Sequence, residues 1–501
     1  MQRSKSVTKH ASSSAMAGNR TGRPVRLKPL ALAIAMLLQA GGTQAQQPFS
    51  GAWFAGKGAQ QGTAATTGRL PNGQAIIAPD NTQAQQQKAN AQLQTSLNNL
   101  QLAARAIAVQ QSAQQAARQA AIAAGSSVPE GLAAGGLQVD TNSLTAGWLN
   151  ANGPTQAQAG GKTVVTVKQT ADKAILNWES FNIGQHTTLQ FDQAANWSVL
   201  NRINDPLARP SQIQGQIKAD GTVMLVNRNG IVFSGSSQVD TRSLVAAAVG
   251  MSNSQFQKGI YSDALGSSFK PTLANDLVLN GNVATHANAT ADVVVQAGAQ
   301  LSTRKPQTVT EGGGYVLLAG REVHNGGSVS APNGQVTLAA GDSFVIRKGL
   351  GTDSNQTSST RGNEVDVKFN AQSDAGKVTN AGLVQALTGD VTLTGRDVRQ
   401  AGVLLSSTSV TTRGTVHLKA DGSDGLVTLA PDSLTTVLLD DSGATALDVQ
   451  RDALIKDSAL LSDGAYNRRD LSLIQIASGG DIAFDTGSLT LATGGQVNAL
   501  A

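Results

Sequence analysis

From about residue 311 the chain repeats one short phrase. "GYVLLAG" (314–320) returns as "GQVTLAAG" (334–341), "GDVTLTG" (389–395), "GTVHLKA" (414–420) and "GLVTLA" (425–430). "GREVHNGGSVSAPNG" (320–334) likewise answers to "GRDVRQAGVLLSSTSV" (395–410). Gly314 and Gly334 stand 20 residues apart, Gly389 and Gly414 25. A unit of that length, built of short strands and Gly or Asn corners, cannot bury its own apolar face. Stacked on its neighbours it can, because each coil continues their sheets. Propeller blades repeat at roughly 40–50 residues with aromatic signatures, whereas aromatic residues make up 3 % of this chain. Against a propeller or a β-sandwich, the repeat favours an all-β parallel β-helix.

The first residues point to export. Arg3, Lys5, Lys9, Arg20, Arg23, Arg26 and Lys28 precede an apolar run, "PLALAIAMLL" (29–38), and small residues up to Ala45, with no acid among them. A positive n-region, a short h-region and small residues before a cut describe a signal peptide, 1–45, cleaved between Ala45 and Gln46. The apolar run is about half of what a membrane-spanning helix needs. Cleavage removes seven of the 38 basic residues and leaves 31 against 33 acids. The net charge becomes −2, and nucleic-acid binding loses its compositional support. Cysteine is absent, which excludes disulfides and thiolate metal sites.

Residues 46–81 read as a linker. Residues 82–125, dominated by Ala and Gln without Gly or Pro until Gly125, read as a helical spacer. Leu93, Leu97, Leu100 and Ile107 give it one short apolar face and little core of its own. After Gly125 the pattern turns to strands: "KTVVTVKQ" (162–169), "TTLQF" (187–191), "TVMLVN" (222–227), "DVVVQA" (292–297) and "NEVDVKF" (363–369). "LVAAAV" (244–249) is the best exception, a short helix-like stretch.

The tightest corner is "VNRNGIVFSGSSQVD" (226–240), where two apolar runs meet across Asn227, Arg228, Asn229 and Gly230. This stretch, with "ILNWESFNIGQHTTLQFDQ" (175–193) and "VLNRINDPLARPSQIQGQI" (199–217), resembles the N-terminal secretion domain of the filamentous haemagglutinin family. These are the exported partners of two-partner secretion. The matching positions are Asn177, Trp178, Ser180, Phe181, Asn182, Ile183 and Gly184 in the first block, and Asn201, Arg202 and Gly215 in the second. In the third they are the corner, then Ile231, Phe233 and Gly235. Arg228 stands where the family usually has Pro, which rigidifies a type I turn.

The resemblance implies a right-handed parallel β-helix with an N-terminal cap, a secretion domain over 126–310 and β-helix repeats over 311–501. It also implies a partner, an outer-membrane β-barrel transporter whose periplasmic modules read the corner 227–230. The chain would cross unfolded and wind up outside, secreted or at the cell surface, as an adhesin or haemagglutinin-like stem. Host-cell or cell-surface glycans and receptors are then its further partners. The alternative is the stem of a contact-dependent growth inhibition protein, which would need a C-terminal toxin. The last residues, "TLATGGQVNALA", read as a strand–turn pattern left incomplete.

Enzymatic and metal readings find little support. "FDTGS" (484–488) matches one half of an aspartic-protease dyad, and no second Asp-Thr-Gly exists. "GPTQAQAGGKT" (153–163) lacks the spacing of a phosphate-binding loop and is read as a turn. The five histidines show no metal-ligand spacing, so no catalytic residue, metal or cofactor is expected. Arg361-Gly362-Asn363 misses an integrin-binding tripeptide by one residue. A β-helix polysaccharide lyase or hydrolase is the weaker alternative. It would need acids and bases projecting from one face of neighbouring coils. Asp440-Asp441 is the nearest candidate and reads as a strand-end turn.

Overall fold

The computed structural model describes residues 83–259, 278–280, 292–307, 313–348, 363–370, 373–409, 413–440 and 472–501. The expected leader and linker, the expected cleavage site at Ala45 and Gln46, and Asp441 lie outside these residues. Three long sheets, of 12, 8 and 11 strands, run side by side along the chain. One coil contributes one strand to each. Thr222–Val226 lies in the first sheet, Ile231–Phe233 in the second and Gln238–Thr241 in the third, before Ser243–Ala247 re-enters the first. Successive coils pair in parallel and in register, Val223 beside Val199 and Leu244 for example. Val223, Leu225, Ile231, Phe233 and Val239 all point into one continuous core. This is the expected β-helix, and the strands up to Gln300–Thr303 and those from Tyr315–Gly320 onward enter the three sheets in the same order.

The repeat works through its glycine corners. The amides of Gln335 and Asp390 donate to the carbonyls of Gly314 and Gly334, so like corners stack coil on coil. Tyr315–Gly320, Gln335–Ala340, Asp390–Gly395 and Thr415–Ala420 are then neighbouring strands of the first sheet. The "GLVTLA" copy at 425–430 departs from the expectation. Leu426–Leu429 lies in the second sheet, and the true partner of Thr415–Ala420 is Leu473–Ser478. Strands of all three sheets place aliphatic residues at alternate positions facing the core, so the phrase alone does not fix which sheet it enters.

The first end is closed by antiparallel strands. Leu137–Val139 and Trp148–Leu149 both pair antiparallel with Lys173–Phe181. Thr155–Ala159 and Lys162–Lys168 form a hairpin across Gly160 and Gly161, both at positive φ (58° and 74°). Two positive-φ residues give the tight turn that suits right-twisted strands, and this is where "GPTQAQAGGKT" lies.

A second apolar layer covers the outside of the first sheet. Phe344, Ile346, Val365 and Val367 pack on Leu317, Ala319 and Ala339. They belong to a three-stranded sheet whose strands Ser343–Lys348 and Asn363–Lys368 pair antiparallel, so "NEVDVKF" is a lid strand outside the coils. The same layer corrects the helix-like reading of "LVAAAV". Ser243–Ala247 is a strand buried on both faces, and double burial removes the alternation that marks a half-exposed strand. A one-and-a-half-turn helix, Asn253–Lys258, adds Phe256 to this layer and starts with a capping box on Ser252.

The Ala/Gln-rich segment forms the helix α1, Gln83–Ala124. It is not a free spacer, since Ala103 and Ile107 are buried and it lies along the corner between the second and third sheets. Gln114 accepts from the Gly298 amide at 2.8 Å and donates to the Gly326 carbonyl at 2.7 Å. Arg118 donates to the Ser237 and Gly298 carbonyls (2.9 and 3.3 Å), and Gln110 to that of Ala381 (3.4 Å). A helical turn rises about 5.4 Å and strands lie about 4.8 Å apart, so nearly one turn meets each coil. Of the apolar side chains expected to define its face, Ile107 is buried and Leu93, Leu97 and Leu100 are half-buried, and the polar side chains add bonds to the corners.

Candidate functional site

The corner 227–230 is a hydrogen-bonded turn between the first and second sheets. The Gly230 amide donates to the Asn227 carbonyl at 3.1 Å, and the Asn229 amide to Asn227 Oδ1 at 2.9 Å. Asn227 Nδ2 donates back to the preceding coil, to Ser211 Oγ (3.0 Å) and the Arg209 carbonyl (3.3 Å). The Asn227 amide donates forward to the Ala247 carbonyl. One residue, through side chain and amide, therefore ties three coils together, and Asn227 is fully buried.

The first two blocks build the coils beneath that corner. Trp178 and Phe181 point into the core, their rings 5.4 Å apart and edge-on, with the Trp148 ring centred 4.9 Å from that of Trp178 and tilted 60° to it. Trp178 Nε1 donates to Asn201 Oδ1 at 3.0 Å, and Asn201 Nδ2 donates to the Met224 carbonyl on the next rung. Ser180 and Asn182 hold the cap by donating to the Gly136 and Gly135 carbonyls. Asn182 Oδ1 accepts from the Gln212 amide at 2.7 Å, and Ile183 bridges Ile213. Gly184 lies against the Glu130 carboxylate, which accepts from the His186 amide and from Thr187 Oγ1. Gly215 packs on the Gly184 and Thr187 carbonyls.

Arg202 joins the blocks to the short helix. It donates to Asn177 Oδ1 (3.2 Å), the Met251 carbonyl (2.9 Å) and Asn253 Oδ1 (2.7 Å). Burial, with the Arg228 charge nearby, pushes its guanidinium below the ordinary Arg value. Ile231 and Phe233 are fully buried, and Gly235 meets Ala121 of α1. The structure thus brings all the matched residues into the first coils of the solenoid. Of the corner, Arg228 alone is exposed, lying over Gly250.

Sequence spacing missed one group that could ligate a cation. Asp292, Glu322 and His324 place one ligand atom each within 4.8 Å of one another, all half-buried. They meet because Val293 pairs with Val323 in register. Burial and the Glu322 charge raise the Asp292 carboxyl above its usual range. The other motifs, where described, are turns or strand ends. Asp485 and Ser488 of "FDTGS" close one by a 3.1 Å backbone bond, and Asp440 ends the strand Leu434–Asp440.

Residues 142–374 match the family model described as TPS secretion domain. Two curated relatives, both named heme/hemopexin-binding protein and both from Haemophilus influenzae, are similar. One is 39 % identical over 83 residues, covering 16 % of this chain and 9 % of the relative. The other is 28 % identical over 239 residues, covering 47 % and 22 %. The chain thus spans under a quarter of either relative's length. A crystal structure of the HMW1 secretion domain from Haemophilus influenzae superposes with a TM-score of 0.46 at 20 % identity, covering 69 % of this chain and 74 % of that one.

Proposed function

Residues 142–374 form a TPS secretion domain, and on that premise we propose that an outer-membrane β-barrel transporter reads this exoprotein's signature corner before the coils close. The observation that supports this is burial. Asn227 and Asn201 have no exposed surface and their side chains bond between coils, and Asn229 is 8 % exposed with its Oδ1 buried and unpartnered. A receptor cannot reach such groups in the folded solenoid, but an open chain offers them.

Recognition of the open chain also orders the later steps. The transporter's periplasmic modules hold the corner as an extended segment, and the chain passes outward unfolded. Outside, each completed coil buries the apolar face of the one before, so winding opposes return. The product is a secreted or surface-exposed stem with an adhesin-like role. The stem of a contact-dependent growth inhibition protein is the second member of this class. The leader over residues 1–45 is the proposed route into the periplasm.

A peptide of residues 221–247 tests the reading against the folded chain. The peptide should bind the transporter's isolated periplasmic modules more tightly than the folded chain does, and Asn227→Ala with Asn229→Ala should weaken it. Equal binding by the folded chain, untouched by these substitutions, would refute recognition of the open corner.

A further inference from the structure

The corners at Ser237, Gly298, Gly326 and Ala381 belong to successive coils, because the third-sheet strands that follow them pair in that order. Along α1 the side chains that bond them come in reverse. Arg118 serves Ser237 and Gly298, Gln114 serves Gly298 and Gly326, and Gln110 serves Ala381. Each step is four residues, close to one helical turn. The series continues through the buried Ile107 and Ala103, and the helix reaches the strands Val403–Ser409 and Leu434–Asp440. At its other end the Ile122 carbonyl accepts from Gln185 on an early coil. The part of α1 that comes first in sequence thus lies on the later coils.

We propose that α1 is a strap that docks last and then bars the signature coil from reopening. The groove it fills is made of coil corners, so it exists only where coils have stacked. Ala381 stands 271 residues beyond Gln110. Docking therefore advances from the Ile122 end toward Gln83 as coils are added, and ends only when the strand Leu434–Asp440 is in place. The helix itself does not wait for the groove. Ala and Gln favour helix, and its 42 residues exceed the length at which an isolated helix is marginal.

Once docked, the strap fastens the stretch that carries the signature corner. A Cβ added at Gly235 would lie 2.8 Å from Ala121 Cβ, and the Ser237 carbonyl accepts from Arg118 at 2.9 Å. Lifting residues 231–240 off the solenoid must break that bond and part Gly235 from the helix. Arg118 also holds Gly298 on the next coil, and Gln114 ties Gly298 to Gly326 on the one after. Opening one coil is thereby coupled to three, which raises its cost above that of a local fluctuation. In export, docking of α1 ends the interval in which the transporter holds the corner open. That consequence rests on the reading proposed above; the strap itself does not.

Hydrogen exchange read by mass spectrometry on the full chain tests both halves. With pulse labelling during refolding of the unmodified chain, peptides over 222–241 should reach native protection before those over 103–118. In the folded chain, Gln114→Ala with Arg118→Ala removes the corner bonds while Ala keeps the helix propensity high. Exchange over 231–240 should then quicken about tenfold or more, while the first-sheet strands keep their rates. Arg118→Lys, which retains a donating cation, should lose less than Arg118→Ala. Native protection of α1 ahead of the coils, unchanged exchange over 231–240 in the double variant, or an equal rise across all three sheets would overturn the proposal. Neither arm contains a transporter, so binding of the folded chain by its periplasmic modules would refute the open-corner reading without touching the strap.

Discussion

Trp178 donates its indole N–H to Asn201 Oδ1 at 3.0 Å, inside the core and one rung away. The most recognisable aromatic of the signature is thus held by its most buried amide. Asn201→Ala should destabilise the fold by roughly 1–3 kcal/mol for the orphaned indole alone. Adding Trp178→Phe should cost less than the sum of the single variants, because no unpaired donor then remains. Chemical denaturation of the three variants measures this; strict additivity would contradict it.

The corner residues divide by role. Phe233→Ala should cost about 3–5 kcal/mol, as for any fully buried Phe. Arg228 is exposed and occupies the second position of the turn without a positive φ. Arg228→Pro should therefore be neutral or stabilising by about 0.4–1 kcal/mol. Thermal melting checks both, and unfolding by Arg228→Pro would contradict the turn.

The strap formed by α1 depends on close backbone approach at Gly298. A Cβ there would sit 2.5 Å from the Arg118 amide nitrogen, and Gly298 has a φ of +91°. Gly298→Val should push the helix off its corner. Hydrogen exchange should then quicken across α1 while the strands of the first sheet keep their protection. Unchanged exchange in α1 would show that the contact is dispensable.

Acid should weaken the C-terminal coils through His417. Burial holds this imidazole below its ordinary 6.5; Asp390, Glu364 and the Gln475 hydrogen bond pull it up, and Arg413 pushes it down. The unfolded chain takes a proton near 6.5 and the folded chain only at lower pH. Its contribution is therefore complete above that value and is lost as pH falls through it. His417→Gln should flatten this part of the melting-temperature profile between about pH 8 and pH 5; an unchanged slope would contradict it.

The solenoid was legible because its period is written in aliphatic residues and glycine corners, from Gly314 to Gly414. The signature was legible because Trp178, Asn201 and Asn227 make contacts fixed by the coil itself. Sheet assignment was not, as residues 425–430 show, since interior strands of all three sheets alternate alike. Ser243–Ala247 misled because a strand covered on both faces loses its period. The docking of α1 was legible only in part: Ile107 lies on the face the apolar spacing marks, but Gln114 and Arg118 are polar residues that no apolar-periodicity rule selects.

The central claim, export through a dedicated transporter, is tested most directly by where the protein accumulates. The full chain should be expressed in a bacterial host with and without a two-partner-secretion outer-membrane transporter, and the medium, cell surface and periplasm assayed by immunoblot. The account predicts appearance outside the cell only with the transporter, and loss of that appearance when residues 221–247 are deleted. Retention in the periplasm with the transporter present, or export undiminished by the deletion, would contradict it.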